Sequence, residues 1–115
     1  MSGIARRITL WTKKDITKLF KRSQRIYRCE GLDIRVAPAG TSLGRLLIVI
    51  PRQSGIAPKR ALVRRRLKAI FYEQKLYNKG YDWIFLVKKE SLERSFEELK
   101  SVMVNLADSL PSIVS

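Results

Sequence analysis

The stretch RLLIVIPRQSGIAPKRALVRRRLKAIFYEQKLYNKGYDWIFLV, residues 45–87, decides the fold. Arg45 to Ile50 is a nearly continuous apolar, β-branched run, which suits a central strand covered on both faces. Pro51 ends it, and residues 52–58 read as a loop with Pro58 close to the first turn of a helix. That helix is expected from Lys59 to Asn78. Val63, Leu67, Ile70, Phe71, Gln74 and Tyr77 gather on one of its faces at roughly 100° per residue, and Gly80 suits its stop. Tyr81 to Val87 reads as a second buried strand, rich in aromatic and β-branched residues. Strand, helix and strand make one β-α-β unit, so the two strands are expected to be parallel and to share a sheet.

Upstream, Thr12 reads as an N-cap with Asp15 as its capping partner, and Trp11 and Ile16 stand at the two positions of a hydrophobic staple. The helix they open runs to about Arg22, with Ile16, Leu19 and Phe20 on one face. Leu32, Ile34 and Val36 alternate with Asp33 and Arg35, the period of a half-buried strand, and residues 25–29 offer a short strand before it. Residues 38–42 read as a turn. Downstream, Ser95 and Glu98 form a capping box for a last helix that buries Phe96, Leu99, Met103, Leu106 and Leu110. The expected fold class is therefore α+β, a single-domain α-β sandwich in the order α-β-β-(β)-α-β-α. Residues 1–10 are expected to be a loose arm on a single domain spanning residues 1–115.

The chain has 115 residues, with 24 Lys+Arg against 10 Asp+Glu and a net charge of +14. Residues 5–75 hold 19 basic and 4 acidic residues, a net of +15, and residues 76–115 hold 5 and 6, a net of −1. Solubility alone is served by a net charge of about 2–8 in a small domain, so the excess points to a polyanionic partner. Hydrophobic residues make up 45% of the chain, which rules out a disordered basic tail. With no histidine, there is no Ser-His-Asp or Cys-His nucleophile and no His-ligated zinc. The single cysteine, Cys29, makes no internal disulfide and reads as a half-buried thiol of a reduced compartment. No signal peptide and no membrane-length apolar run is present, so a soluble cytoplasmic protein is expected, with no membrane partner.

The sharpest feature is Lys59-Arg60-Ala61-Leu62-Val63-Arg64-Arg65-Arg66-Leu67-Lys68. On a helical wheel Arg60, Arg64, Arg65 and Lys68 fall opposite or beside the apolar face, and Arg66 lies on the other shoulder. Guanidinium groups donate paired hydrogen bonds to phosphate and stay charged. Cations packed this closely repel one another unless a polyanion joins them, so RNA or another phosphate polymer is the expected ligand. Tyr72, Tyr77, Tyr81, Trp83 and Phe85 are explained by packing. The four acids of the basic half are scattered, without the paired-carboxylate spacing of a two-metal nuclease. On these residues the protein binds and does not cut, and no catalytic or metal-ligating residue is assigned.

The same residues resemble the protein component of bacterial ribonuclease P. Arg64-Arg65-Arg66 stands where that family has an R-N-R motif in a basic helix between parallel strands. Gly80-Tyr81-Asp82-Trp83-Ile84-Phe85 is similar to its G-x-D-then-strand segment, Ser95-Phe96-Glu97-Glu98-Leu99 to the start of its last helix, and Lys14 to Arg22 to its first helix. Arg65 replaces the asparagine of the motif, and Ile16 and Ile34 stand at two positions that are commonly aromatic. The resemblance implies a subunit that binds a catalytic RNA and the 5′ leader of precursor tRNA, with hydrolysis carried out by the RNA and its magnesium. It implies RNA contacts at Arg64, Arg66 and Lys68, to which the basic segment itself adds Lys59, Arg60, Arg65 and Arg52, and a leader cleft between the first helix and the sheet with Phe20 and the positions of Ile16 and Ile34. The alternative reading is a small basic structural RNA-binding protein, such as a ribosomal one.

Overall fold

The computed structural model describes residues 11–40 and 43–111, so the arm expected at residues 1–10 lies outside the described residues. The elements are α1 (Lys13–Arg22), β1 (Gln24–Cys29), β2 (Leu32–Pro38), β3 (Leu46–Val49), α2 (Ala57–Glu73), β4 (Tyr81–Val87) and α3 (Phe96–Ser109). Short 3-10 turns occupy Arg52–Ser54, Leu76–Asn78 and Lys89–Ser91. The α+β class and the element order are as expected, with the early strand present as β1.

The four strands form one mixed sheet in the order β1-β2-β4-β3. β1 and β2 make an antiparallel hairpin whose turn holds Gly31 at φ 75°, a conformation that a Cβ disfavours. β2 pairs antiparallel with β4, and β3 pairs parallel with β4, as the β-α-β reading requires. The expected central position of residues 45–50 is corrected: β3 is an edge strand, and β2 and β4 are central. Its apolar run has another cause, since Leu46 and Leu47 are both buried but on opposite faces, each under a different helical layer. Double-sided burial mimics a central strand. The outer edge is partly covered by the Trp11 indole, whose Nε1 donates to the Leu46 carbonyl at 2.7 Å.

Strand alternation divides the side chains between two cores. Leu32, Ile34, Val36, Leu46, Trp83, Phe85 and Val87 pack against Val63, Leu67, Ile70 and Phe71 of α2 and Leu99 and Met103 of α3. Ala37, Leu47 and Ile84 face the other way and receive Leu19 of α1. So α1 covers one face of the sheet, and α2 and α3 cover the other. The aromatics expected to pack do so: Trp83 stacks on Phe85 with centroids 6.0 Å apart, and Phe71 meets Trp83 edge-on at 6.4 Å.

Both expected capping boxes are formed. Thr12 and Asp15 exchange bonds of 3.1 and 3.4 Å at the start of α1, and Ser95 and Glu98 exchange bonds of 3.2 and 3.4 Å at the start of α3. In α3 Leu99, Met103 and Ala107 are buried, whereas Phe96, Leu106 and Leu110 are half-buried. The helix expected over 59–78 starts at Ala57 and stops at Glu73, well before Gly80. Lys75 adopts a left-handed conformation at φ 53°, which for a side-chain-bearing residue costs about 1–2 kcal/mol. The kink lets the consecutive Leu76 and Tyr77 both enter the core and aims the Tyr77 carbonyl at the Gly44 N–H, 2.8 Å away. Gly44 itself lies so close to β4 that a Cβ would meet the Tyr81 carbonyl oxygen at 2.0 Å.

Candidate nucleic-acid interface

The charges of α2 leave the helix in three directions. Arg64 and Lys68, one turn apart, flank a recess of about 150 Å³ whose other walls are Trp11 and residues Leu46, Leu47 and Ile48 of β3. Arg65 is exposed between them and the far shoulder. Arg66 points to that shoulder, where its guanidinium donates to the Arg94 carbonyl at 2.9 Å just before α3. The helix phase follows from Val63, Leu67 and Ile70, which are at most 1% exposed and lock one side of α2 onto the sheet.

The seven basic positions therefore differ in kind. Lys59 pairs with Glu93, and Arg60 donates its Nε–H to the Gly55 carbonyl at 3.0 Å, tying the preceding loop to the helix. Arg60 and Arg66 meet neutral carbonyls rather than carboxylates, so no acid offsets them. Arg52, Arg64, Arg65 and Lys68 have no hydrogen-bond or ion-pair partner among the described residues. Arg52 is exposed in the 3-10 turn that precedes α2. Three unpaired cations within five residues of one helix could receive phosphates at fixed spacing.

On the opposite face of the sheet, Ile16 and Phe20 of α1 are half-buried and pack with Trp11, Val49 and Leu86 around the Leu19 core. Ile16 and Phe20 thus share one face of the sheet, and Ile34 does not join them. It is fully buried, among the side chains beneath α2 and α3, because it shares the phase of Leu32 and Val36. The cleft-facing residues of β2 are its neighbours Asp33, Arg35 and Ala37, so Ile34 is corrected to a core position. A one-residue change of phase moves a side chain to the other face of a sheet.

Asp82 entered the sequence reading only as the aspartate of the G-x-D segment, with no role assigned, although an acid inside the apolar run 81–87 is a signal of its own. It is completely buried, lies 2.9 Å from the Arg22 guanidinium, and accepts the Arg45 backbone N–H at 2.7 Å. Arg45 reaches back to it at 3.6 Å and also lies over the Trp11 ring, 4.1 Å from the centroid. One buried carboxylate thus joins the end of α1 to the start of β3. Arg35 adds a second tie from β2, donating to Ser23 Oγ at 2.8 Å and to the Ser23 carbonyl at 3.1 Å.

The family model described as Ribonuclease P matches residues 4–110. The chain is 31% identical over 103 residues to the "Ribonuclease P protein component" of Borrelia turicatae, an alignment covering 88% of this chain and 90% of that one. It is 30% identical over 70 residues to the component of the same name in Mycoplasma mobile, covering 57% and 62%. Among solved structures, the RNase P protein of Thermotoga maritima superposes with a TM-score of 0.74 at 22% identity, covering 90% of this chain and 97% of that one. A mutant RNase P protein of Staphylococcus aureus superposes with a TM-score of 0.76 at 12% identity, covering 93% and 91%. These two likenesses carry the fold.

Proposed function

The chain belongs to the ribonuclease P protein family, and from that premise we propose that it binds the catalytic RNA of ribonuclease P and the 5′ leader of precursor tRNA. The observation that carries this reading is the trio Arg64, Arg65 and Lys68, left without partners along one helix of a +14 chain. Phosphates of the catalytic RNA seat on these cations, with Arg52, Lys59, Arg60 and Arg66 adding charge around them. Binding then releases counterions and weakens steeply with salt.

The leader takes the other face of the sheet. Phe20 and Ile16 of α1 with Val49 and Leu86 offer half-buried apolar surface on which an extended strand lies, and Arg35 of β2 stands on the same face for its phosphates. The protein contributes position and charge, and the phosphodiester is hydrolysed by the RNA. Magnesium belongs to the RNA and substrate in this reading. Among the described residues no group of three or more Asp, Glu, Cys or His gathers, and the free charges of α2 repel a divalent cation. Among the described residues no helix is long and apolar enough to cross a membrane.

The test is 5′-leader cleavage of a precursor tRNA by a ribonuclease P RNA at low magnesium, with and without the chain. The protein alone should leave the precursor intact, and its addition should lower the magnesium that the RNA requires. Tight RNA binding with no stimulation of the cognate RNA would return the reading as a general structural RNA-binding protein.

A further inference from the structure

The recess at the outer edge of β3 has a shape and chemistry that phosphate binding by α2 leaves unused. Its cationic wall is Arg64 and Lys68, its floor is the strand edge at Leu46 to Ile48, and its third wall is the Trp11 indole. Trp11 is held in place from two sides. Its Nε1–H is fixed on the Leu46 carbonyl at 2.7 Å, and the Arg45 guanidinium sits over its ring. In a parallel ladder the residues that bond to the neighbour alternate with those that face outward. The bond from Trp83 N to the Arg45 carbonyl, together with the outward Leu46 carbonyl, sets that phase, so the Ile48 backbone also faces the recess. Two unpaired cations, an aromatic ring on a locked indole and an outward backbone edge therefore meet in a volume of about 150 Å³, the scale of one nucleotide base.

Resting on the proposed function, we propose that this recess is a subsite for one unpaired nucleotide of the catalytic RNA, its phosphate between Arg64 and Lys68 and its base against Trp11. A duplex presents phosphates but keeps its bases stacked inside, so an aromatic wall adds affinity only for an unstacked base. The source is the catalytic RNA because the cations are those of the helix that grips it. Trp11 also packs with Phe20 and Leu86 of the leader face, so it is the cations, not the indole, that assign the source.

Tryptophan emission reads the subsite directly. Trp83 is fully buried and Trp11 is only half-buried, so a ligand in the recess changes the emission of Trp11. Titration of the full chain with a short oligouridylate should quench that emission, and the quench should vanish in Trp11→Phe. Trp11→Leu should weaken oligouridylate binding about tenfold, the scale of one base stacked on an aromatic ring. Arg64→Ala, which leaves the indole and its bond to Leu46 in place, should remove the quench as well. A ribonuclease P RNA transcript should quench Trp11 before any precursor tRNA is added.

Quenching that appears only on addition of the precursor would overturn the assignment to the catalytic RNA. Salt-dependent RNA binding with Trp11 emission and Trp11→Leu affinity both unchanged would overturn the subsite while leaving the proposed function standing. Failure of the wild-type chain to bind any of these RNAs would sink both.

Discussion

At the scale of single residues, Asp82 and Ile34 make opposite lessons from neighbouring central strands. Asp82 is a buried polar residue whose partners are in place, so its substitution is expected to act on stability. Asp82→Ala strands the Arg45 N–H and releases Arg22, and should cost about 1–3 kcal/mol in urea unfolding. Arg22 is partly exposed and regains water, which keeps the cost below that of a fully buried broken pair. Asp82→Asn keeps an oxygen for the Arg45 N–H and should be milder; equal destabilisation would mean that the charge, not the bond, matters. Ile34→Ala should cost about 2–5 kcal/mol through a core cavity, without a selective drop in leader affinity. Phe20→Ala should show the reverse pattern, a leader-specific drop in affinity larger than its effect on stability. If the two variants behaved alike, the assignment of the two sheet faces would fail.

At the scale of elements, α1 and α2 carry the testable electrostatics. Hydrogen bonding from the Thr12 side chain, helped by the Thr12 N–H and by Arg45 and Lys18, holds the Asp15 carboxyl below its ordinary 3.8. A depressed folded-state value means that the cap supports α1 fully above that ordinary value and loses this support as pH falls through the lowered one. Following the Asp15 carboxyl by NMR should give a midpoint under 3.8 that returns toward it in Thr12→Ala. In α2, a helical wheel treats Arg64 and Arg66 alike, as cations off the apolar face whose removal leaves the fold intact. The structure separates them. Arg64→Ala with Lys68→Ala should flatten the salt dependence of RNA binding, at unchanged melting temperature. The log–log slope should fall by about 0.7 for each single-strand phosphate that the helix no longer neutralises. Arg66→Ala should also destabilise the fold by roughly 1 kcal/mol, because the Arg94 carbonyl is left without its donor. An Arg66→Ala protein as stable as wild type would make that bond an idle surface feature.

At the scale of the whole molecule, tertiary structure redistributes a charge that the chain segregates. Asp82 and Glu93, from the nearly neutral end, pair with Arg22, Arg45 and Lys59 of the basic part. Asp15 and Asp33 pair with Arg45 and Arg25. The pairing concentrates free positive charge rather than erasing it, since Arg64, Arg65 and Lys68 are left out. A +14 chain also repels itself, so added sodium chloride should raise its melting temperature while lowering its RNA affinity. A melting temperature that falls with salt would show that the ion pairs outweigh the repulsion.

The kind, order and phase of the elements are written in local residue patterns. Helix α1 was legible from Thr12, Asp15 and the spacing of Ile16, Leu19 and Phe20, and α3 from Ser95 and Glu98. The basic ridge followed from the apolar period of Val63, Leu67 and Ile70. These are local signals, set by backbone geometry within a few residues. Which way each phase faced was set by long-range packing. Periodicity groups Leu32, Ile34 and Val36 on one side of β2, but both faces of this sheet are roofed by helices, so nothing local says which roof Ile34 meets. The edge position of β3, the turn at Lys75 and the hold of Arg66 on the Arg94 carbonyl share that cause. Each is fixed by a partner far along the chain, and burial of that partner overrides what the local residues prefer.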